Sequence, residues 1–309
     1  VAVGALALDA NTTGDSNTAL GRNSLTANTT GTQNVGAGYG TLAASTTANN
    51  NTAMGYNALV SNTTGAANTA IGALALDANT TASNNTAVGK NSLTGNTTGA
   101  NNTAIGLDSL KVNTTGGTNV AVGSLTLSAN TTASDNTGVG YAVLLANTTG
   151  SNNTAVGVNS LQANTTADDN TAVGRNTLIA NTTGHSNTAV GSKSLAANTT
   201  GNDNTAVGFE SLEANTTGEA LVAVGRRALE ANTTASNNTS VGYKSLLVNT
   251  TGASNVALGT NALMANTTAD NNIGIGHNSL KANTTGHSNT AVGKSALERS
   301  TTGTYNGGF

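Results

Sequence analysis

A glycine recurs every seventeen residues in this chain, at Gly4, Gly21, Gly38, Gly55 and Gly72 and on through Gly157 and Gly225 to Gly293. Eighteen copies follow one another without an insertion or deletion. A period this short and strict means that each copy is one small structural unit, unable to bury its apolar face alone and stable only by stacking on its neighbours. Freedom from slips further suggests paired strands, because one extra residue would turn every later side chain to the other face.

Numbering each copy from the Asn of "NTAVG" makes its columns readable. Column 5 is Gly and column 9 is Leu in all eighteen copies, with Leu8, Leu25, Leu93, Leu161 and Leu195 representing the leucine ladder. Columns 13 and 14 are always Thr-Thr, column 4 is nearly always Val, Ile, Leu or Met, and column 11 is nearly always Ala. Column 6 varies freely through Arg22, Tyr39, Lys90, Leu107, Ser124 and Phe209, as does column 10 through Asp9, Val60, Lys111 and Gln162. Columns that accept charge face solvent, and fixed apolar columns are expected to face inward.

The fixed apolar columns give no stripe of helical period, and the repeated Gly, β-branched Thr and Val, and Asn-rich turns disfavour a helix. Alternation fits better. The expected unit has two short strands, one with columns 2 and 4 inward and column 3 outward, the other over columns 9 to 11. In the copy beginning at Asn153, Val156, Leu161 and Ala163 point in, Gly157 makes a corner, and Val158, Asn159 and Gln162 face out. The fold predicted for residues 1–309 is one all-β domain, a parallel β-solenoid of eighteen coils, on the order of 85 Å long at the strand spacing. A disordered tract of similar polarity would have no reason to keep Leu in every copy.

Composition excludes several functions. Charged residues make up 8% of the chain and aromatic residues 2%, and Cys, Pro and Trp are absent. Thiolate metal sites and disulfides are therefore ruled out, and eleven scattered Lys and Arg make no groove for nucleic acid. No apolar stretch approaches the ~20 residues of a membrane span. One Leu, one Val and a few small residues make a thin core for each coil, so a homo-oligomer is expected. A start at Val1 without Met, and ends without capping coils, suggest a processed chain, an excerpt or an end-to-end polymer.

The phrase "NTAVGxNSLxANTTG" resembles the head and shaft repeats of YadA-like trimeric autotransporter adhesins, and repeats in phage tail fibres and bacterial surface fibres. The matching residues are "TAVG" followed by a small residue and Leu, as in Thr154–Gly157 with Ser160 and Leu161. The resemblance covers essentially the whole chain. It implies a homotrimer of parallel solenoids forming an extended fibre on a cell or virion surface, with a cell-surface or glycan receptor. The coil of that family is shorter, and the extra segment here is the Asn-Thr-Thr turn.

Candidate sites are few. His185 and His287 share column 16 but lie six coils apart, near 29 Å at the ladder spacing, too far for a shared metal or triad. No column is expected to set acids in register over neighbouring coils, and no catalytic residue or cofactor is assigned. Calcium is the only metal considered, at the turn acids Asp135, Asp168, Asp169 and Asp203; alternate coils hold the column-17 carboxylates ~10 Å apart, which favours solvated turn acids. Asn11, Asn79, Asn164, Asn215 and Asn232 represent the Asn-Thr-Thr sequon, present in sixteen copies. Ser45 and Ser300 replace Asn in the other two while the Thr pair stays, so the motif reads better as a turn, with Asn as an amide ladder and Thr bonding between coils. Columns 13 and 14 supply one outward Thr ladder, short of the two-ladder Thr-x-Thr face an ice-binding solenoid needs. Tyr39, Tyr56, Tyr141, Phe209 and Tyr243, interleaved with bases in column 6, form the candidate contact strip. The function expected is the shaft of an extracellular fibre; the alternatives are a trimeric adhesin or tail fibre that binds a host surface and, less favoured, an ice-binding solenoid.

Overall fold

A computed structural model describes residues 1–309 and contains no helix. The chain divides into two compact units, Val1–Asn153 and Thr154–Phe309. Each is a parallel β-solenoid built from seventeen-residue coils. The first unit carries β1 (Ala2–Val3) to β9 (Thr137–Val139), and the second carries β10 (Thr154–Val156) to β19 (Gly307–Gly308). Within each unit, successive strands pair in parallel at the period of the repeat. Thus β12 (Thr188–Val190) meets β13 (Thr205–Val207) with Thr188 opposite Thr205, Ala189 opposite Ala206 and Val190 opposite Val207.

Two details differ from the sequence expectation. Each coil has one strand, not two, three residues long except for the two-residue β1 and β19; columns 6 to 11 form turns. Those turns still bond from coil to coil, as where the Leu195 amide donates to the Ser211 carbonyl at 3.0 Å. The strand also faces the other way. Column 3 is buried, with Ala155, Ala172, Ala189 and Ala206 fully enclosed, while columns 2 and 4 face out. Val156 and Ala163, expected inside, are half-buried. The reason is space: Leu and two columns of Asn already fill the narrow interior, and opposite them only Ala, Gly or Ser fits.

The leucine ladder lies where expected. Leu25, Leu93, Leu161 and Leu195 are fully buried, and Leu8 in the first coil is half-buried. Each of these leucines sits in the left-handed region, with φ 50° at Leu195. A Cβ there costs about 1–2 kcal/mol, offset by burial of the side chain and by the coil-to-coil amide bond. Column 5 is stricter. Gly208 has φ +137°, and a Cβ on it would lie 2.6 Å from the Gly225 carbonyl oxygen of the next coil. That φ strains any L side chain, and it is this backbone conformation together with the close stacking that restricts the corner to glycine.

Two buried amide ladders brace the interior. In column 12, Asn198 donates from Nδ2 to Asn181 Oδ1 at 2.9 Å and to the Gly201 carbonyl at 3.0 Å. Column 1, not recognised from the sequence as structural, supplies the second ladder. Asn187 Nδ2 donates across the coil to the same Gly201 carbonyl at 2.9 Å, and the Asn204 amide donates to Asn187 Oδ1 at 3.1 Å. One carbonyl thus uses both lone pairs on two asparagines. The Thr hydroxyls bond between coils as expected: Thr199 Oγ1 donates to the Thr216 carbonyl at 3.1 Å.

Serine at position 45 interrupts the column-12 ladder. Its Oγ is buried without a partner, and Asn28 Oδ1 in the preceding coil has lost its donor. Ser300 leaves Asn283 Oδ1 in the same state. Ser45→Asn should therefore restore the missing links and stabilise the first unit by about 1–2 kcal/mol. A thermal melt checks this; an unchanged or lower midpoint contradicts it.

Candidate functional site

With the fixed columns committed to the interior, functional chemistry must come from the outward ones. Columns 2 and 4 lie side by side on the sheet face, so in-register Thr runs beside in-register Val, Ile, Leu or Met. Ile71 and Ile105 in the first unit and Leu258 and Val292 in the second are among the large side chains left exposed on this strip. This face pairs a Thr ladder with an aliphatic one, which is not the Thr-x-Thr pair of ladders sought for ice binding. The inverted orientation of the strand kept it from view in the sequence.

Column 6 forms a second outward strip, and all five candidate aromatics on it are exposed. The structure brings them together in short groups. Tyr39 and Tyr56 stack with centroids 5.6 Å apart and planes 12° apart, and the Arg22 guanidinium lies 6.0 Å from the Tyr39 centroid. In the second unit, the Arg226 guanidinium lies 5.6 Å from the Phe209 ring and 6.0 Å from that of Tyr243. Lys244 Nζ is 5.1 Å from the Tyr243 centroid. Tyr141 joins no ring stack.

Acids do meet in neighbouring coils, contrary to the sequence expectation. Glu213 and Glu230 occupy column 10 in successive coils, and Glu210 in column 7 joins them, with an oxygen of each within 4.8 Å of the others. The left-handed turn at column 7 brings columns 7 and 10 together, which the column-by-column reading missed. Two cations offset most of the charge of the three carboxylates. Lys193 Nζ lies 3.3 Å from Glu213 and 3.4 Å from Glu210, while the Arg227 guanidinium pairs with Glu230 and lies 3.7 Å from Glu210. The bond that Lys193 donates to Glu213 raises the Lys193 pKa, and those that Arg227 donates to Glu230 raise the Arg227 pKa. The turn acids considered for calcium form no such group: Asp169 and Asp203 stand two coils apart in the second unit.

The sequon asparagines are placed as turn scaffolding. Asn79, Asn164, Asn215 and Asn232 are fully buried, and Asn11 is half-buried. Nδ2, the atom that would carry a sugar, is committed: in Asn215 it donates to Asn198 Oδ1 and the Gly218 carbonyl, and in Asn11 to the Gly14 carbonyl. The chain secreted through a glycosylating host should keep the mass of the bare polypeptide. Intact-mass spectrometry checks this, and added hexose-containing mass on any Asn-Thr-Thr contradicts it.

His185 and His287 stand apart in the second unit, each ring beside its own neighbouring serine at 3.3 Å. A shallow open groove is lined by Met264, Lys281, Glu298 and Arg299. No helix is long and apolar enough to cross a membrane.

Burial shifts the titration of Asp77, in column 10. Desolvation pushes its carboxyl up from the ordinary 3.8, against the pull of the Ala78 and Asp77 amides, and Oδ1 has no partner. A folded-state pKa above the unfolded one penalises folding at neutral pH and relieves that penalty as pH falls through the folded value. Asp77→Asn should raise the melting temperature at pH 7, with the gain vanishing below pH 3.8. Equal melting of the two proteins at pH 7 would contradict this.

No protein-family model matches this chain, and no curated protein matches it. Its functional reading therefore rests on the coil geometry.

Proposed function

We propose that this chain is a structural protein, the shaft material of an extracellular fibre, assembled from several copies and doing mechanical rather than catalytic work. The observation that carries this reading is the continuous Thr and aliphatic strip of columns 2 and 4 along the sheet face of each unit. A thin coil interior gains most from covering such a strip, and exposed apolar surface that is contiguous marks an association face. Likeness of the "TAVG" phrase to trimeric adhesin repeats favours a trimer, on a cell or virion surface.

Light scattering and electron microscopy of the purified chain test the reading. The expected result is a defined multimer or filament that Ile71→Lys with Ile105→Lys dissociates without loss of the solenoid's circular dichroism. A monomer at about 100 μM, well above the Kd of a stable assembly, overturns it. A second reading has an observation of its own: flat, in-register Thr and Val ladders can also order water at an ice surface. Thermal hysteresis in a monomeric sample, lost in the same lysine variant, would favour that reading.

A further inference from the structure

We infer that the notch bounded by Tyr56, Ala73 and Lys90 binds a sugar ring carrying a carboxylate, an acidic residue of a glycan. The argument begins with the Tyr39–Tyr56 stack. The rings come from successive coils and stack nearly parallel, 12° apart, each with one face turned to the other. Arg22 covers the far side of Tyr39. Beyond Tyr56 the column continues with Ala73, whose side chain ends at Cβ, and then with Lys90. At the strand spacing Lys90 stands roughly 10 Å beyond Tyr56, leaving one coil without a ring.

The bared face of Tyr56 has no ring or cation over it, and Tyr56 is 55% exposed against 44% for Tyr39. Lys90 is exposed and joins no ion pair. A ring seated in the gap would continue the stack on one side and meet an ammonium on the other. A pyranose fits this shallow place, since its CH face stacks on an aromatic ring while its hydroxyls stay in water. Lys90 makes a carboxylated sugar the better occupant. The second unit holds the same arrangement in reverse order: Phe209, then Ser192, then Arg175, at the same period in column 6. Tyr243 lacks such a notch, because Arg226 and Lys244 both lie against its ring.

Saturation-transfer NMR tests this on the full chain in whatever assembly it forms, with methyl β-glucuronide as probe and methyl β-glucoside as its neutral counterpart. The expected result is transfer to the CH-face protons of both sugars, with a Kd on the order of 1–10 mM and a two- to fivefold preference for the glucuronide, as a surface ion pair provides. Ala73→Tyr with Ser192→Tyr fills both gaps, in a column where the chain already carries tyrosine, and should abolish transfer. Tyr56→Ala with Phe209→Ala should do the same, while Lys90→Gln with Arg175→Gln should remove only the preference. Transfer that survives either filling or removal of the rings overturns the inference, as does equal binding of the two sugars by the unaltered chain. The readout does not depend on copy number, so it fails or succeeds separately from the shaft reading.

Discussion

Gly208→Ala should split the second unit at the coil that carries it. The new Cβ would lie 2.6 Å from the Gly225 carbonyl oxygen and 2.7 Å from its carbon, at φ +137°, where an L side chain is strained in any surroundings. Backbone strain of this kind costs about 1–3 kcal/mol, and the coils must separate further to relieve the clash. Since each coil touches only its neighbours, the damage should be local. Hydrogen exchange should show lost protection in the coils around positions 208 and 225, together with a lower melting temperature. Gly201→Ala is the control: alanine stands at the equivalent column in Ala48, Ala82 and four other copies. Equal melting of both variants would show that column 5 is not the constraint argued above.

Asn198→Ala should have the next largest effect. The substitution removes two donated bonds and the bond accepted from Asn215 Nδ2 at 2.9 Å. It leaves Asn181 Oδ1 buried without its donor. At about 1–3 kcal/mol for an unsatisfied buried group, a loss of roughly 3–5 kcal/mol is expected, read as a shift of the denaturation midpoint. The chain already contains the milder form of this lesion at Ser45, where a polar but shorter side chain strands Asn28 Oδ1. A variant as stable as the parent would mean that the ladder follows the fold and does not hold it.

Much of this architecture could be read before any coordinates. The uninterrupted period fixed the coil and its register, and unvarying Leu identified the core column. Retention of the Thr pair beside Ser45 marked the Asn-Thr-Thr segment as a turn. What misled was size taken as a proxy for burial. Val156 was expected inside because it is larger and more apolar than Ala155, but an interior already holding Leu161 and Asn164 has room only for the methyl. The column-1 asparagines passed unnoticed because polar residues are rarely sought in a core, although seventeen Asn in eighteen copies was the available signal. Leu221 is the exception, and its amide still donates to Asn204 Oδ1 at 3.0 Å. The pairing of Glu213 with Glu230 was legible in the sequence, since both stand in column 10 of successive coils; only the left-handed turn reveals that Glu210 in column 7 joins them.

The ladders also give a coil two different faces. Toward the preceding coil it offers amide donors, Nδ2 in column 12 and the backbone N–H in column 1. Toward the following coil it offers the Oδ1 acceptors of the same asparagines, together with the Thr199-type hydroxyl donor. For the side-chain amides, each face complements its opposite and mismatches its own kind, Oδ1 to Oδ1 and Nδ2 to Nδ2. A two-fold join between like faces is thereby disfavoured, and head-to-tail addition keeps every bond. The stack of coils within each unit therefore has a direction written into its side-chain amides.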